Sequence, residues 1–404
     1  MKIERDISLD AMRGIAALVV FGSHSVLAFY PEFSGYLGSA SVEDTARSRF
    51  WYAAVNGQGA VAFFFVLSGF VLSRPYLLTG EKSILARGVI KRWPRLAGPV
   101  LVTVVASWAL FESGAYFYEP AAALSHSSWF SHFAGAYSGD AFEPTLASAA
   151  LQGAVLTFLR GDYTYDSSLW TMGYEFYGSL MVFALAFLLV RAPAFSARIG
   201  VLAAAALYCH VAKPALAPFV VGVALAAFLP LQGFRAPAVL AAAAVVLALL
   251  MCGYTPGAAG FYAGVTAVYP SALPIHYVYA LAAAMLIVAA EGSRGMKAFL
   301  SRRWGFVSGE LSFPFYLVHV LLLCSLGAFT LIETGSKAAA IAASLASSLG
   351  AAWLLARFNR WWVDRLNVGV AALPQGYLGG RAVPPPWQPV PGPPVTPEPL
   401  RPGA

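Results

Sequence analysis

The sequence predicts an all-α integral membrane protein, a bundle of about ten transmembrane helices with both termini in the cytosol. Three observations predict it. Of 404 residues, 59% are hydrophobic and only 11% charged, where soluble globular proteins carry about 25% charged. Mean hydropathy is +0.68, and the apolar residues gather in stretches near the roughly 20 residues a helix needs to cross a bilayer. Basic residues concentrate in alternate connections, with few on the other side, as the positive-inside rule leads one to expect.

In order, the spans are 11–30, 57–79, 97–112, 169–190, 199–212, 214–230, 236–253, 274–290, 311–331 and 337–356. The first is too long for a signal peptide and lacks a small-residue cleavage site. The fifth and sixth, around Lys213-Pro214, are the least distinct. One set of connections holds Lys82, Arg87, Lys91, Arg92, Arg95, Arg191, Arg198, Arg235, Arg294, Lys297, Arg302 and Arg303. Lys2 and Arg5 near the start, and Arg357, Arg360 and Arg365 near the end, fall on the same side. The opposite side holds Glu32, Glu43, Asp44, Glu119, Asp140, Glu143, Asp162 and Asp166. Cytosolic termini and an even number of spans follow.

The outer segment from about 113 to 168, rich in aromatic and small residues, reads as an ordered or interfacial loop over an outer mouth. Residues 1–365 form the membrane domain. Residues 366–404, which include PPPWQPVPGPPVTPEP, form a proline-rich cytosolic tail that cannot build a core and is expected to be disordered. The chain is expected in the cell membrane as a multi-pass protein among lipids. Its net charge of +7 follows this topology and does not point to nucleic acid. Cys209, Cys252 and Cys324 stand singly in apolar surroundings, without disulfide or metal spacing.

Titratable residues inside apolar stretches are expensive and usually functional. LDAMRGIAALVVFGSHSVLAFYP, Leu9 to Pro31, holds Arg13 and His24. Eleven helical residues turn through about 1100°, so the two share a face about 16 Å apart along the axis. That suits a ligand with a charged head at the cytosolic surface and a thin arm reaching inward. It also suits a snorkelling arginine beside a hydrogen-bonded core histidine. In AVAFFFVLSGFVLS, Ser68-Gly69 lets a backbone or a ligand approach closely.

RGVIKRWPRLAGP places Arg87, Lys91 and Arg95 on one helix face with Arg92 beside them. Positive-inside topology and phosphate binding both fit that cluster. SSLWTMGYEFYGSL carries Glu175, and LSFPFYLVHV carries His319. A buried carboxylate needs a cation, a hydrogen-bond donor or a proton. Two histidines, a glutamate and an arginine exceed what packing requires, and are expected to converge on one cavity. His126 and His132 lack metal-binding helical spacing, and His210 and His276 fall at span ends.

These pieces, in this order, resemble membrane-bound acyltransferase family 3, which includes bacterial polysaccharide O-acetylases and macrolide acylases. The resemblance runs to about residue 365 through LDAMRGIAALVVFGSH, FFFVLSGFVLS, KRWPRLAGP, LWTMGYEF and SFPFYLVH. It implies an O-acyltransferase that moves an acyl group, acetyl before others, from cytosolic acyl-CoA to a hydroxyl of a glycan, glycolipid or glycosylated natural product. His24 is implied as general base or as the residue first acylated, with Glu175 or His319 orienting it. Arg13, Arg92 and Arg95, with Ser68, are implied at the CoA, and no metal is called for.

Departures from the pattern are Ala11 for a usual glycine, Gly178-Ser179 for an aromatic pair, and VDRLNV for a late Glu-x-Pro, so Asp364 receives no role. The competing class is a proton-coupled transporter or glycan flippase with His24, Glu175 and His319 as an intramembrane relay. A relay does not require the aligned arginine cluster, and the internal repeats of many transporters are not seen.

Overall fold

The computed structural model describes residues 6–34, 46–131, 133, 142–229, 234–270 and 272–373. Of the residues discussed above, Lys2, Arg5, Glu43, Asp44, His132, Asp140 and the proline-rich tail from 374 onward lie outside them. Among the described residues there are helices and no strands.

Each expected span meets a helix: α1 (Ile7–Phe29), α2 (Gly57–Thr79), α3 (Lys82–Glu112), α4 (Trp170–Arg191), α5 (Phe195–Ala212), α6 (Ala217–Phe228), α7 (Ala238–Gly253), α8 (Ile275–Gly292), α9 (Arg303–Leu322) and α10 (Lys337–Ala371). A π-turn, Leu323–Gly327, carries α9 on to Thr334. Eight are long and apolar enough to cross a membrane; α6 and α7, at 12 and 16 residues, are shorter. The chain is a multi-pass membrane protein.

Two helices outrun their apolar stretches. α3 starts at Lys82, so the whole basic segment is helical, and α10 continues beyond 365 to Ala371. Gly80 makes the short α2–α3 turn possible, because its φ of 65° is open chiefly to glycine. Pro94 and Pro99 stay within α3 although proline removes a helical N–H. The Trp362 indole N–H from α10 donates to the Pro94 carbonyl at 2.7 Å. Gly98 keeps that contact open, since a Cβ there would lie 2.3 Å from the indole nitrogen.

The α1–α9 seam positions the site. Gly14 meets Ser308, Gly305 meets Ala11, and Phe21 lies 5.7 Å ring to ring from Phe315. The offset between partners is nearly constant, so the two helices run parallel in register, and small residues let them approach closely. Asp6 caps α1 by accepting from the Ser8 N–H, and its other oxygen takes Lys297 at 2.8 Å, which sets the height of α1. Burial alone would raise the Asp6 carboxyl, but the bonds from Lys297 and Ser8 outweigh it and hold the group at about 2. Across the bundle, α2 meets α6 through Gly69 and Gly222. A Cβ on Gly222 would lie 2.0 Å from the Val66 carbonyl oxygen.

Between α3 and α4 the chain forms short helices, among them Tyr118–Ser125, Ser128–Ser131 and Leu146–Leu151. The Ser127 hydroxyl donates to the Leu27 carbonyl at 2.6 Å and the Phe117 N–H to the Cys324 carbonyl at 3.0 Å. These bonds tie the segment over the ends of α1 and α9.

Candidate active site

A cavity of about 990 Å³ opens where α1 passes beneath this segment. His24, Trp129, Tyr174 and Tyr316 are among its lining residues. Constant register along the seam brings His319 of α9 to the height of His24. His24 Nδ1 lies 2.8 Å from His319 Nε2, the rings stack at 5.0 Å, and Trp129 covers the other side of His24 at 5.4 Å.

Hydrogen-bond logic fixes the tautomers. His319 Nδ1 lies 2.7 Å from the Tyr316 carbonyl oxygen. A carbonyl only accepts, so Nδ1 carries the proton and, in the neutral ring, Nε2 is the acceptor. His24 Nδ1 must then donate, which leaves Nε2 of His24 with the free lone pair. His319 is fully buried, whereas His24 is partly exposed on the cavity wall. Tyr316 is fastened in turn: its hydroxyl lies 2.9 Å from the Ser168 carbonyl and 2.8 Å from Thr171 Oγ1. Just ahead, Asp166 accepts from the Ser168 N–H, while its Oδ2 has no partner among the described residues. Burial pushes this carboxyl up to about 7.

A second polar centre lies apart from the histidines. Glu175 Oε1 accepts from Ser68 Oγ at 2.6 Å and pairs with the Arg92 guanidinium, whose Nε donates to Ser179 Oγ at 2.7 Å. Arg92 also lines a pocket of about 270 Å³ together with Arg87, Lys91 and Arg95. Gly173, Tyr174 and Tyr177 of the same turn as Glu175 line the large cavity. Arg92 of the pair lines the basic pocket, and neither Arg92 nor Glu175 lines the large cavity. Arg13 lies nearer the start of α1, 3.8 Å from Asp10.

The single expected cavity is thus distributed. His24 lines the large space, Arg92 and Arg95 line the basic pocket, and His319 sits behind His24. Ser68 and Glu175 lie at Arg92, and Arg13 lines neither space. Of the two residues expected to orient His24, His319 is the one in contact. Ser68 contacts Glu175, while its neighbour Gly69 packs on α6. Among the described residues no three His, Cys, Asp or Glu side chains gather as a metal-binding group.

Sequence reading gave no role to Tyr316 or Ser179, and it placed Trp129 among the aromatic residues of the outer segment without linking it to His24. Ser179 stands one turn after Glu175 and Tyr316 one turn before His319, so helical spacing signalled both. Nothing local signalled the contact of Trp129 with His24, which the fold of a distant segment makes.

A family model described as an acyltransferase domain matches residues 6–357, nearly the whole described bundle. The chain belongs to membrane-bound acyltransferase family 3. No curated protein and no solved structure matches it. As an acyltransferase it needs an acyl donor and an acceptor, and both histidines, both cavities and the basic cluster fall within the matched region.

Proposed function

We propose that this membrane acyltransferase is an O-acetyltransferase, with His24 Nε2 as its general base. Acetyl-CoA approaches from the basic side, which the positive-inside rule places in the cytosol of a cell membrane. Arg87, Lys91 and Arg95 bind its phosphates, with Arg13 as an outlying cation. Arg92, held by Glu175 and Ser179, walls the route by which the thioester arm reaches His24, and Ser68 holds Glu175 to it. The acceptor, a glycan or glycosylated lipid or product, enters the large cavity. Its aromatic lining supports a sugar: among the described residues all eight aromatic lining residues are Tyr or Trp and none is Phe, although the chain has 28 Phe. Tyr and Trp pair an apolar face with a polar handle.

His24 Nε2 takes the acceptor hydroxyl proton as the oxygen attacks the thioester carbonyl. A C–O bond forms, the C–S bond breaks, and the imidazolium returns the proton to the departing thiolate, giving ester and free CoA. His319 Nε2 accepts from His24 Nδ1–H and steadies the transient charge. The tautomer chain from the Tyr316 carbonyl to His24 Nε2 is the observation that carries this reading.

The test is His24→Gln. Membranes with wild type or variant are given radiolabelled acetyl-CoA, and label is recovered in base-labile ester per folded protein. Loss of a general base lowers the rate about 10²–10⁴-fold, with CoA affinity kept. Near-normal ester formation in the variant would sink the mechanism.

A further inference from the structure

The large cavity is charged in one sense. Arg47, Arg160 and Lys213 line it, and among the described residues no Asp or Glu does. The three come from separate places: the turn Ala46–Ser48, the end of the helix at Thr157–Leu159, and the α5–α6 junction. Arg47 is oriented, its Nε donating to Thr255 Oγ1 at 3.0 Å. Arg160 and Lys213 are exposed at the cavity. Among the described residues, the carboxylates nearest in sequence to Arg160, Asp162 and Asp166, do not line the cavity. Asp162 Oδ1 takes the N–H and hydroxyl of Thr164 at 3.0 and 2.8 Å, and Asp166 is fully buried.

These cations also run against the charge bias of the chain. Lysine and arginine concentrate at the opposite end of the bundle, where membrane topology accounts for them. Topology gives no reason for three cations in the cavity that His24 lines. A cavity lined by one sign of charge, with low-dielectric walls, focuses its field on an oppositely charged ligand.

We propose that the acceptor is an acidic saccharide, a sugar-bearing molecule with a carboxylate or phosphate held by Arg160 and Lys213, with Arg47 beside them, while a sugar hydroxyl faces His24 Nε2. This rests on reading the cavity as the acceptor chamber. Tyrosine and tryptophan faces hold the ring, and the cations select the anion by charge-assisted hydrogen bonds.

Matched amphiphiles test it. The full chain in phosphatidylcholine nanodiscs is titrated with dodecyl β-D-glucuronide and with dodecyl β-D-glucoside, which differ only at C6, a carboxylate against a hydroxymethyl group, and tryptophan fluorescence is followed. The glucuronide is expected to bind roughly tenfold or more tightly, with an advantage that shrinks as salt is added. Arg160→Gln/Lys213→Gln removes the advantage and leaves glucoside binding unchanged. The charge-keeping Arg160→Lys/Lys213→Arg retains it, which separates charge from folding.

Equal affinities in the wild type, or a preference that survives the double glutamine variant, would overturn the proposal. So would phosphatidylglycerol in the nanodisc abolishing the preference, because the cations would then serve a lipid headgroup. The two readings fail separately. Glucuronide preference without base-labile ester refutes acetyl transfer alone, whereas ester formed equally on neutral and acidic sugars refutes the anion site alone.

Discussion

The two polar centres of the bundle solve the burial of titratable groups in opposite ways. At His24–His319 both partners are neutral rings, aligned by one backbone carbonyl, and one lone pair stays available. At Arg92–Glu175 the partners are opposite charges, 9% and 13% exposed, with Ser68 and Ser179 filling the remaining hydrogen-bond positions. A neutral pair leaves no charge stranded when one ring is lost. A buried ion pair cannot lose one partner without leaving a charge stranded. The first arrangement suits chemistry, and the second suits holding helices in place.

That contrast is sharpest at Glu175. Glu175→Ala strands Arg92 and should lower stability by about 3–5 kcal/mol, as breaking buried ion pairs does. Thermal unfolding in detergent reads this directly, and a variant as stable as wild type would erase the distinction between the centres. At the other centre, His319→Phe removes the acceptor for His24 Nδ1–H while keeping an aromatic ring in the slot. Turnover should fall about 10²-fold, a loss at the low end for general-base catalysis, with a displaced pH profile and unchanged CoA affinity. Unaltered pH dependence would detach His319 from the base.

Smaller effects probe the surroundings of each centre. Arg95→Ala removes one of the phosphate contacts proposed above and should weaken acetyl-CoA binding about tenfold, the scale of a hydrogen bond to a charged group. Arg95→Lys should recover part of it, since it keeps charge but loses the fork. Isothermal titration at two salt concentrations decides, and affinity insensitive to salt and to both variants would move the donor site elsewhere.

The smallest effect concerns Asp166. Its carboxyl rises from 3.8 to about 7 on burial, so the folded protein prefers the protonated form. The associated stability is present below pH 3.8 and is lost as pH rises through about 7. Asp166→Asn should flatten the decline in melting temperature across that window. A decline of the same slope in the variant would assign it to another group.

Much of this architecture was legible in one dimension. Apolar stretches and the bias of basic residues are local properties, and each expected span meets a helix because a backbone in lipid must satisfy its own hydrogen bonds. The ends were less legible. α3 begins at Lys82 because helix formation continues through polar residues that hydropathy does not count, and α10 passes 365 for the same reason. Pro94 and Pro99 stay inside α3, where the Trp362 indole, far away in sequence, packs on Gly98 and donates to the Pro94 carbonyl.

For the site, the sequence alone determined that His24, Ser68, Glu175 and His319 stand within apolar stretches, with Arg13 near the start of the first and Arg92 in the basic segment before the third. It also determined that Arg13 and His24 share a helix face, because helical periodicity is intrinsic to the backbone. Tertiary structure alone decided their partners. His319 meets His24 because α1 and α9, separated by most of the chain, pack parallel in register through Ala11, Gly14 and Gly305. Glu175 meets Arg92 rather than a histidine because its turn of α4 gives Gly173, Tyr174 and Tyr177 to the cavity and directs Glu175 to α3. Helix periodicity sets which residues share a face, but which face meets which neighbour depends on how all the helices pack at once.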